Sequence, residues 1–170
     1  MTNSKLPAGS NLSKEELAKL TDLVKQQAKT VATKIPLLGA ISWLMMQQAS
    51  TKYTFLSDLE WRIMPSLLLD QAKLYVRDEM PLAYVSWAKL SADVAMRYRA
   101  APHRLLPADW RTGDQIWLID VFTPFGGATE LLQDIREKVF PGQEVCQLGP
   151  LEDGVAKVIK WEAVKAGKVS

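Results

Sequence analysis

The chain has 170 residues, 48% of them hydrophobic and 24% charged, with 21 Lys+Arg against 19 Asp+Glu. That apolar fraction and a net charge of only +2 exclude a disordered chain, and the length suits one domain with a single core. A pI near 8.6 is too mild to indicate a nucleic-acid binder, and a lone cysteine, Cys146, excludes a disulfide-stapled scaffold.

Residues 1–12 are polar and turn-forming, a loose arm without the apolar centre of a secretory signal. The longest apolar stretch, residues 35–46, is too short to span a bilayer, so a cytoplasmic protein is expected. Ser13 followed three residues later by Glu16 forms a capping box that opens a helix. Leu17, Leu20, Val24, Ala28, Val31 and Ile35 then fall on one stripe at helical spacing. The first 37 residues hold six lysines against Glu15, Glu16 and Asp22, so the basic excess of the chain is N-terminal. Those lysines are either a solvated face or an attraction for an acidic carrier protein or a membrane surface. Pro36 is expected to end the helix, because it cannot continue the ladder and biases Ile35 away from helical torsions. The chain then divides into an N-terminal arm and basic helix, 1–37, and a single domain, 38–170.

Within that domain a second apolar helix is predicted over 38–48, followed by a polar loop to Lys52. Ser57 or Asp58 caps a helix over 59–69, with Pro65 as a point of kinking. Strands are predicted over 73–77 and 82–90, joined by the Asp78-Glu79-Met80-Pro81 turn. Ser91 caps a helix reaching Arg99, and a long loop over 100–113 carries the only histidine, His103. The strongest strand signal covers 115–123, and Pro124-Phe125-Gly126-Gly127 turns it into a helix ending near Val139. Strands over 144–148 and 155–161 close the chain. The order α-α-α-β-β-α-β-α-β-β describes an α+β, mixed α/β protein around one central sheet, with one crossover unit flanked by antiparallel pieces.

Chemistry concentrates where the 115–123 strand meets its turn. A helix entered through glycines presents free backbone N–H groups to an anion. This turn lacks both the Lys-Ser/Thr of a P-loop and the three glycines of a dinucleotide fingerprint. A phosphopantetheine arm held by Phe125, Gly126 and Gly127 is one reading; a tight turn needing only glycine's torsions is the other. Asp120 lies within Ile116-Trp117-Leu118-Ile119 and Val121-Phe122, and by alternation shares a face with Leu118 and Phe122. A carboxylate half buried there needs partners or a raised pKa, which fits either a functional acid or a structural Asp bonded to Arg or backbone amides. His103, with no Cys or His partner, fits no zinc pattern, and no metal site is expected. The six tryptophans are scattered one per element, which suits packing better than a base-stacking platform.

Four segments resemble one family: Leu38-Gly39-Ala40-Ile41-Ser42-Trp43-Leu44, Pro81-Leu82-Ala83-Tyr84-Val85-Ser86-Trp87-Ala88, Asp109-Trp110-Arg111-Thr112-Gly113-Asp114 and Trp117-Leu118-Ile119-Asp120-Val121-Phe122-Thr123-Pro124-Phe125-Gly126. Together they are similar to the RTX toxin-activating lysine acyltransferases, over residues 38–161. The resemblance implies a GNAT-like fold, often homodimeric. It also implies transfer of a fatty acyl group from acyl carrier protein to internal lysines of a protoxin. The co-substrate is then the phosphopantetheine thioester of acyl carrier protein, with no permanently bound cofactor. The family pairs a histidine with the aspartate of the Ile-Asp strand. Asp120 matches that aspartate, but the histidine position falls on Thr51.

Histidine suits removal of a proton from a lysine ammonium, because its pKa lies near neutrality. Threonine does not. Three explanations follow: Asp120 acts alone, His103 replaces the missing imidazole, or the chain is a degenerate paralogue kept for binding a carrier protein or toxin. In the first two, the apolar faces of Trp43–Met46 and the 115–123 strand line an acyl groove.

Overall fold

In the computed structural model, which describes residues 13–164, Ser13 and Glu16 close the expected capping box. The Ser13 N–H donates to the Glu16 carboxylate at 2.8 Å, and the Glu16 N–H donates to the Ser13 hydroxyl at 3.2 Å. The helix so opened, α1, runs over Lys14–Gln47 and passes through Pro36 rather than ending there. Proline removes one ladder donor and costs roughly 3 kcal/mol in a helix interior. Ile41, Leu44 and Met45, buried one to three turns further on, hold the chain helical past it. The two helices expected around Pro36 are therefore one.

The chain forms two units, one up to Thr33 and one from Lys34 onward. In the first, every described residue is exposed, Leu17, Leu20, Leu23, Val24 and Val31 included. The second unit holds the sheet and the core.

The single helix expected over 59–69 is two short ones, α2 (Asp58–Arg62) and α3 (Met64–Leu68). Pro65 sits in the first turn of α3, where its missing N–H has no ladder partner to lose, so the break falls before it at Ile63. Strands β1 (Ala72–Arg77) and β2 (Met80–Leu90) form a hairpin. Asp78 and Glu79 both have positive φ, 49° and 64°, as a two-residue turn of the primed kind requires. The turn is thus two residues shorter than expected, and Met80 and Pro81 belong to β2. Helix α4 (Ala92–Arg99) is capped by Ser91, whose hydroxyl accepts from the Val94 N–H. A short 3₁₀ helix, Pro107–Trp110, interrupts the loop before β3 (Gln115–Phe122). Helix α5 (Ala128–Asp134) passes into a π-helical turn, Ile135–Val139. Strands β4 (Val145–Glu152) and β5 (Val155–Trp161) follow.

The strands lie in sequence order in one sheet. All neighbours are antiparallel except β3 and β4, which α5 joins as the expected crossover. One face carries Val85, Trp87, Ile116 and Leu118 against Leu131 and Ile135 of the crossover. On the other, Tyr84 and Phe122 pack on Ile41, Leu44, Ile63 and Leu67 of α1–α3, and Trp117 packs near Tyr98 and Trp110. This mixed, mostly antiparallel sheet with flanking helices is the GNAT-like arrangement.

Candidate active site

Strands β2 and β3 fall out of step at one point. Ser86 faces Asp120, but the next residue, Trp87, faces Leu118, leaving Ile119 as an extra residue on β3. This bulge breaks strict alternation. Leu118 therefore packs on the α5 side, and Asp120 shares its face with Phe122 but not, as alternation predicts, with Leu118. The bulge turns Asp120 toward α2.

There it meets Arg62, a residue the sequence reading passed over. Arg62 Nε lies 2.9 and 3.1 Å from the two carboxylate oxygens, and Nη2 lies 2.5 Å from Oδ1. The Asp120 side chain is 3% exposed and that of Arg62 26%. The Asp120 N–H donates to the buried Ser86 hydroxyl at 3.2 Å. Burial pushes the Asp120 carboxyl up from its ordinary value, and the Arg62 guanidinium opposes that only in part. One signal for Arg62 was available, since it is the only basic residue between Lys52 and Lys73.

Thr51 is 4% exposed, and its hydroxyl donates to the Met45 carbonyl at 2.8 Å, just past the end of α1. Its backbone N–H donates to the Gln48 carbonyl, while the Gln48 side-chain Oε1 accepts the Thr123 N–H at 3.0 Å. Gln48, also missed from sequence, thus ties the Thr51 loop to the end of β3. His103 has a positive φ of 55°, and its Nδ1 lies 3.0 Å from the Tyr98 carbonyl. Its neighbour Arg104 stacks on Trp61 of α2 at 4.7 Å, one residue before Arg62. Burial, with the nearby Asp120 charge adding to it, pushes the Tyr98 phenol up. Neither Thr51 nor His103 shares a hydrogen bond with Asp120 among the described residues.

After β3 the chain turns through Gly126 and Gly127, with φ of 89° and 80°, which glycine adopts without the strain of a side chain. The Gly126 N–H is taken by the Thr123 carbonyl at 3.0 Å. Phe125 packs on Trp43 with ring centroids 5.8 Å apart and lines a groove of about 540 Å³ with Tyr75, Arg77 and Leu82. The parallel pairing of β3 with β4 takes in Ile116–Leu118 and Val145–Gln147, after which β3 pairs with β2 and β4 with β5. The two strands therefore part beside Asp120. Cys146 is buried and unpaired, and the pairing places it opposite Trp117.

A parting parallel pair, a crossover helix entered through glycines and a buried carboxylate at a bulge come together in this GNAT-like fold as the candidate site. The chain matches the RTX toxin acyltransferase family over residues 30–162, and it belongs to that family. Among its relatives is the RTX-II toxin-activating lysine-acyltransferase ApxIIC of Actinobacillus pleuropneumoniae, 34% identical over 78% of this chain and 82% of its own. The protein-lysine myristoyltransferase RtxC of Kingella kingae is 33% identical over 78% of this chain and 73% of its own. The protein-lysine myristoyltransferase HlyC of Escherichia coli is 33% identical over 64% of each chain. The chain is thus an acyltransferase by family, and no helix among the described residues is long and apolar enough to cross a membrane.

Proposed function

We propose that the protein transfers a fatty acyl group from the thioester of acyl carrier protein to internal lysine ε-amines of an RTX-type protein, activating it. The observation that carries this reading is Asp120, turned by a bulge toward α2 and gripped there by Arg62, two residues past the last β3–β4 pair. Parting strands leave main-chain groups beside Asp120 for the amide-rich pantetheine arm, and the named activities of the relatives point to lysine as acceptor.

The reaction forms a C–N bond and breaks a C–S bond, with the thiol leaving and the ammonium proton lost before attack. A lysine ε-amine is ordinarily protonated near neutrality, so a group must take that proton. Asp120 is placed for this or for orienting the amine, and burial moves its carboxyl toward the pH at which it can accept one. Arg62 fixes the carboxylate's direction and limits that upward movement. With the Gly126 N–H engaged, the amides of Phe125 and Gly127 are those left to hold the pantetheine or the developing oxyanion.

A second reading has specific support, because the Thr51 hydroxyl is engaged with the Met45 carbonyl and neither Thr51 nor His103 bonds to Asp120 among the described residues. On that reading the chain is a degenerate relative that binds carrier protein or toxin without turning over. Mass spectrometry of an RTX-type acceptor incubated with acyl-acyl carrier protein decides between them. Acylation by wild type, lost in Asp120→Asn, supports the enzyme, and further loss in His103→Ala identifies a relocated base. No acylation by wild type, with activity appearing in Thr51→His, supports the binding protein.

A further inference from the structure

A cleft of about 230 Å³ opens between the end of α1 and α2, lined mainly by Met45, Met46, Thr51, Phe55, Leu56 and Leu59. We infer that this cleft seats the fatty acyl chain and sets the chain length transferred, an inference that rests on the reading above. Three observations carry it.

The first is chemistry. Five of the cleft's nine lining residues are apolar; Ser42, Lys52 and Thr54 add polar groups, and the hydroxyl of Thr51 is turned to the Met45 carbonyl. Phe55, Leu56 and Met46 are 75%, 85% and 60% exposed, a cluster of large apolar groups at one lip. Isolated exposed apolar residues need no explanation, but a group of them rimming a cleft marks a binding site. Two methionines, unbranched and polarizable, suit a chain with no fixed shape.

The second is position. Leu59 in the cleft wall stands one helical turn before Arg62, which grips Asp120. Gln48, two residues after Met46 of the opposite wall, accepts the Thr123 N–H three residues beyond Asp120. Both walls are thereby tied, through Arg62 and Gln48, to residues 120–123 at the end of β3, within reach of the thioester end of a bound chain.

The third is what the other candidate lining does instead. Trp43 faces Phe125, and the 115–123 strand is covered by the two halves of the core, so neither borders this cleft. Met45 and Met46 alone carry over from the groove expected on sequence.

The test compares tetradecanoyl and butanoyl thioesters of acyl carrier protein as donors for wild type, Leu56→Asp and Phe55→Asp. Both side chains are exposed in the folded protein, so neither change empties the core. Each methylene withdrawn from an apolar site weakens binding about fourfold. The ratio of kcat/KM for tetradecanoyl over butanoyl is expected to fall at least about tenfold. An unchanged ratio overturns the inference. A tetradecanoyl thioester with a diazirine at the chain end gives a second readout that needs no turnover. Crosslinks within residues 45–59 support the cleft, and crosslinks confined elsewhere overturn it. Wild type that crosslinks in the cleft yet acylates no acceptor defeats the catalytic reading and leaves the cleft standing. If apolar side chains of the acceptor protein occupy the cleft instead, Leu56→Asp raises the KM for acceptor equally with both donors.

Discussion

The backbone N–H of Asp120 donates to the hydroxyl of Ser86 on the neighbouring strand, one residue past the bulge at Ile119. Ser86 is wholly buried, and its hydroxyl meets this N–H beside the point where the two strands fall out of step. Ser86→Ala removes that acceptor. The expected loss is about 1 kcal/mol, the net value of one hydrogen bond. Urea unfolding measures it, and Ser86→Thr, which keeps the hydroxyl, recovers part of the loss. A midpoint unchanged in Ser86→Ala would show that the bulge needs no such support.

Arg62 contributes geometry as well as charge. Its fork meets both Asp120 oxygens, and a lysine keeps the charge without the fork. Arg62→Lys is therefore expected to lower acyl transfer by about 10- to 100-fold with the fold retained, by misplacing Asp120. Asp120→Asn is expected to lose about 10²- to 10⁴-fold, the usual contribution of an acid–base group. Initial rates by mass spectrometry, with circular dichroism as a check on folding, separate the two. Equal rates for Arg62→Lys and wild type would reduce Arg62 to a counter-ion.

Much of this site is written in the sequence, though not the part that aims it. The capping box at Ser13 and the Ser91 cap follow from local spacing, because local hydrogen bonds decide them, and the 115–123 strand and its crossover follow from an apolar run that Pro124 and the two glycines turn into a helix. Asp120 stands out for a similar reason, being a charge within an apolar strand. The bulge at Ile119 is decided by the pairing of two strands some thirty residues apart, and no residue type marks it. Pro36 misleads in the opposite direction, since a strong local breaker is overruled by the burial of Ile41, Leu44 and Met45. Arg62 was visible only as a solitary basic residue whose partner lies fifty-eight positions away.

Thr51 carries a further test. Its hydroxyl donates to the Met45 carbonyl near the end of α1, which also accepts the Gln48 N–H, and this is a structural duty. Thr51→Ala is expected to cost about 1 kcal/mol, the net value of one hydrogen bond, and to leave the acylation rate within about twofold. A rate falling with the stability unchanged would give the hydroxyl a chemical role instead.

His103 follows the same logic. With a left-handed backbone and no bond to Asp120 among the described residues, the residue is expected to shape its loop rather than move protons. His103→Ala should leave kcat/KM within about threefold and the pH–rate profile in place, whereas loss of a general base shifts that profile and costs about 10²-fold or more. His103→Gly, free to adopt a positive φ, should unfold at higher urea than His103→Ala. Loss of a pH limb in His103→Ala would make the imidazole the missing base.

The pH dependence of stability rests on two aspartates that pull in opposite directions. Burial by itself would raise the Asp134 carboxyl, but Lys138, Lys73 and the Tyr75 hydroxyl, the last two 2.8 and 2.6 Å away, hold it well below the usual carboxylate range. The unfolded chain, with Asp134 near 3.8, takes up its proton first as the pH falls. Stability from Asp134 is therefore full above that value and is lost as the pH drops toward the native one. Asp120 lies above its ordinary value when folded, so its share has the reverse sign: present below 3.8 and lost as the pH rises through the native value. Urea midpoints between about pH 5 and pH 2 compare the two shares, the Asp134 share making them fall toward acid and the Asp120 share making them rise. Asp134→Asn should flatten that fall, and Asp120→Asn should steepen it. A wild-type profile that rises toward acid would mean that Asp120, and not the clasp between β1 and α5, governs the acid response of the fold.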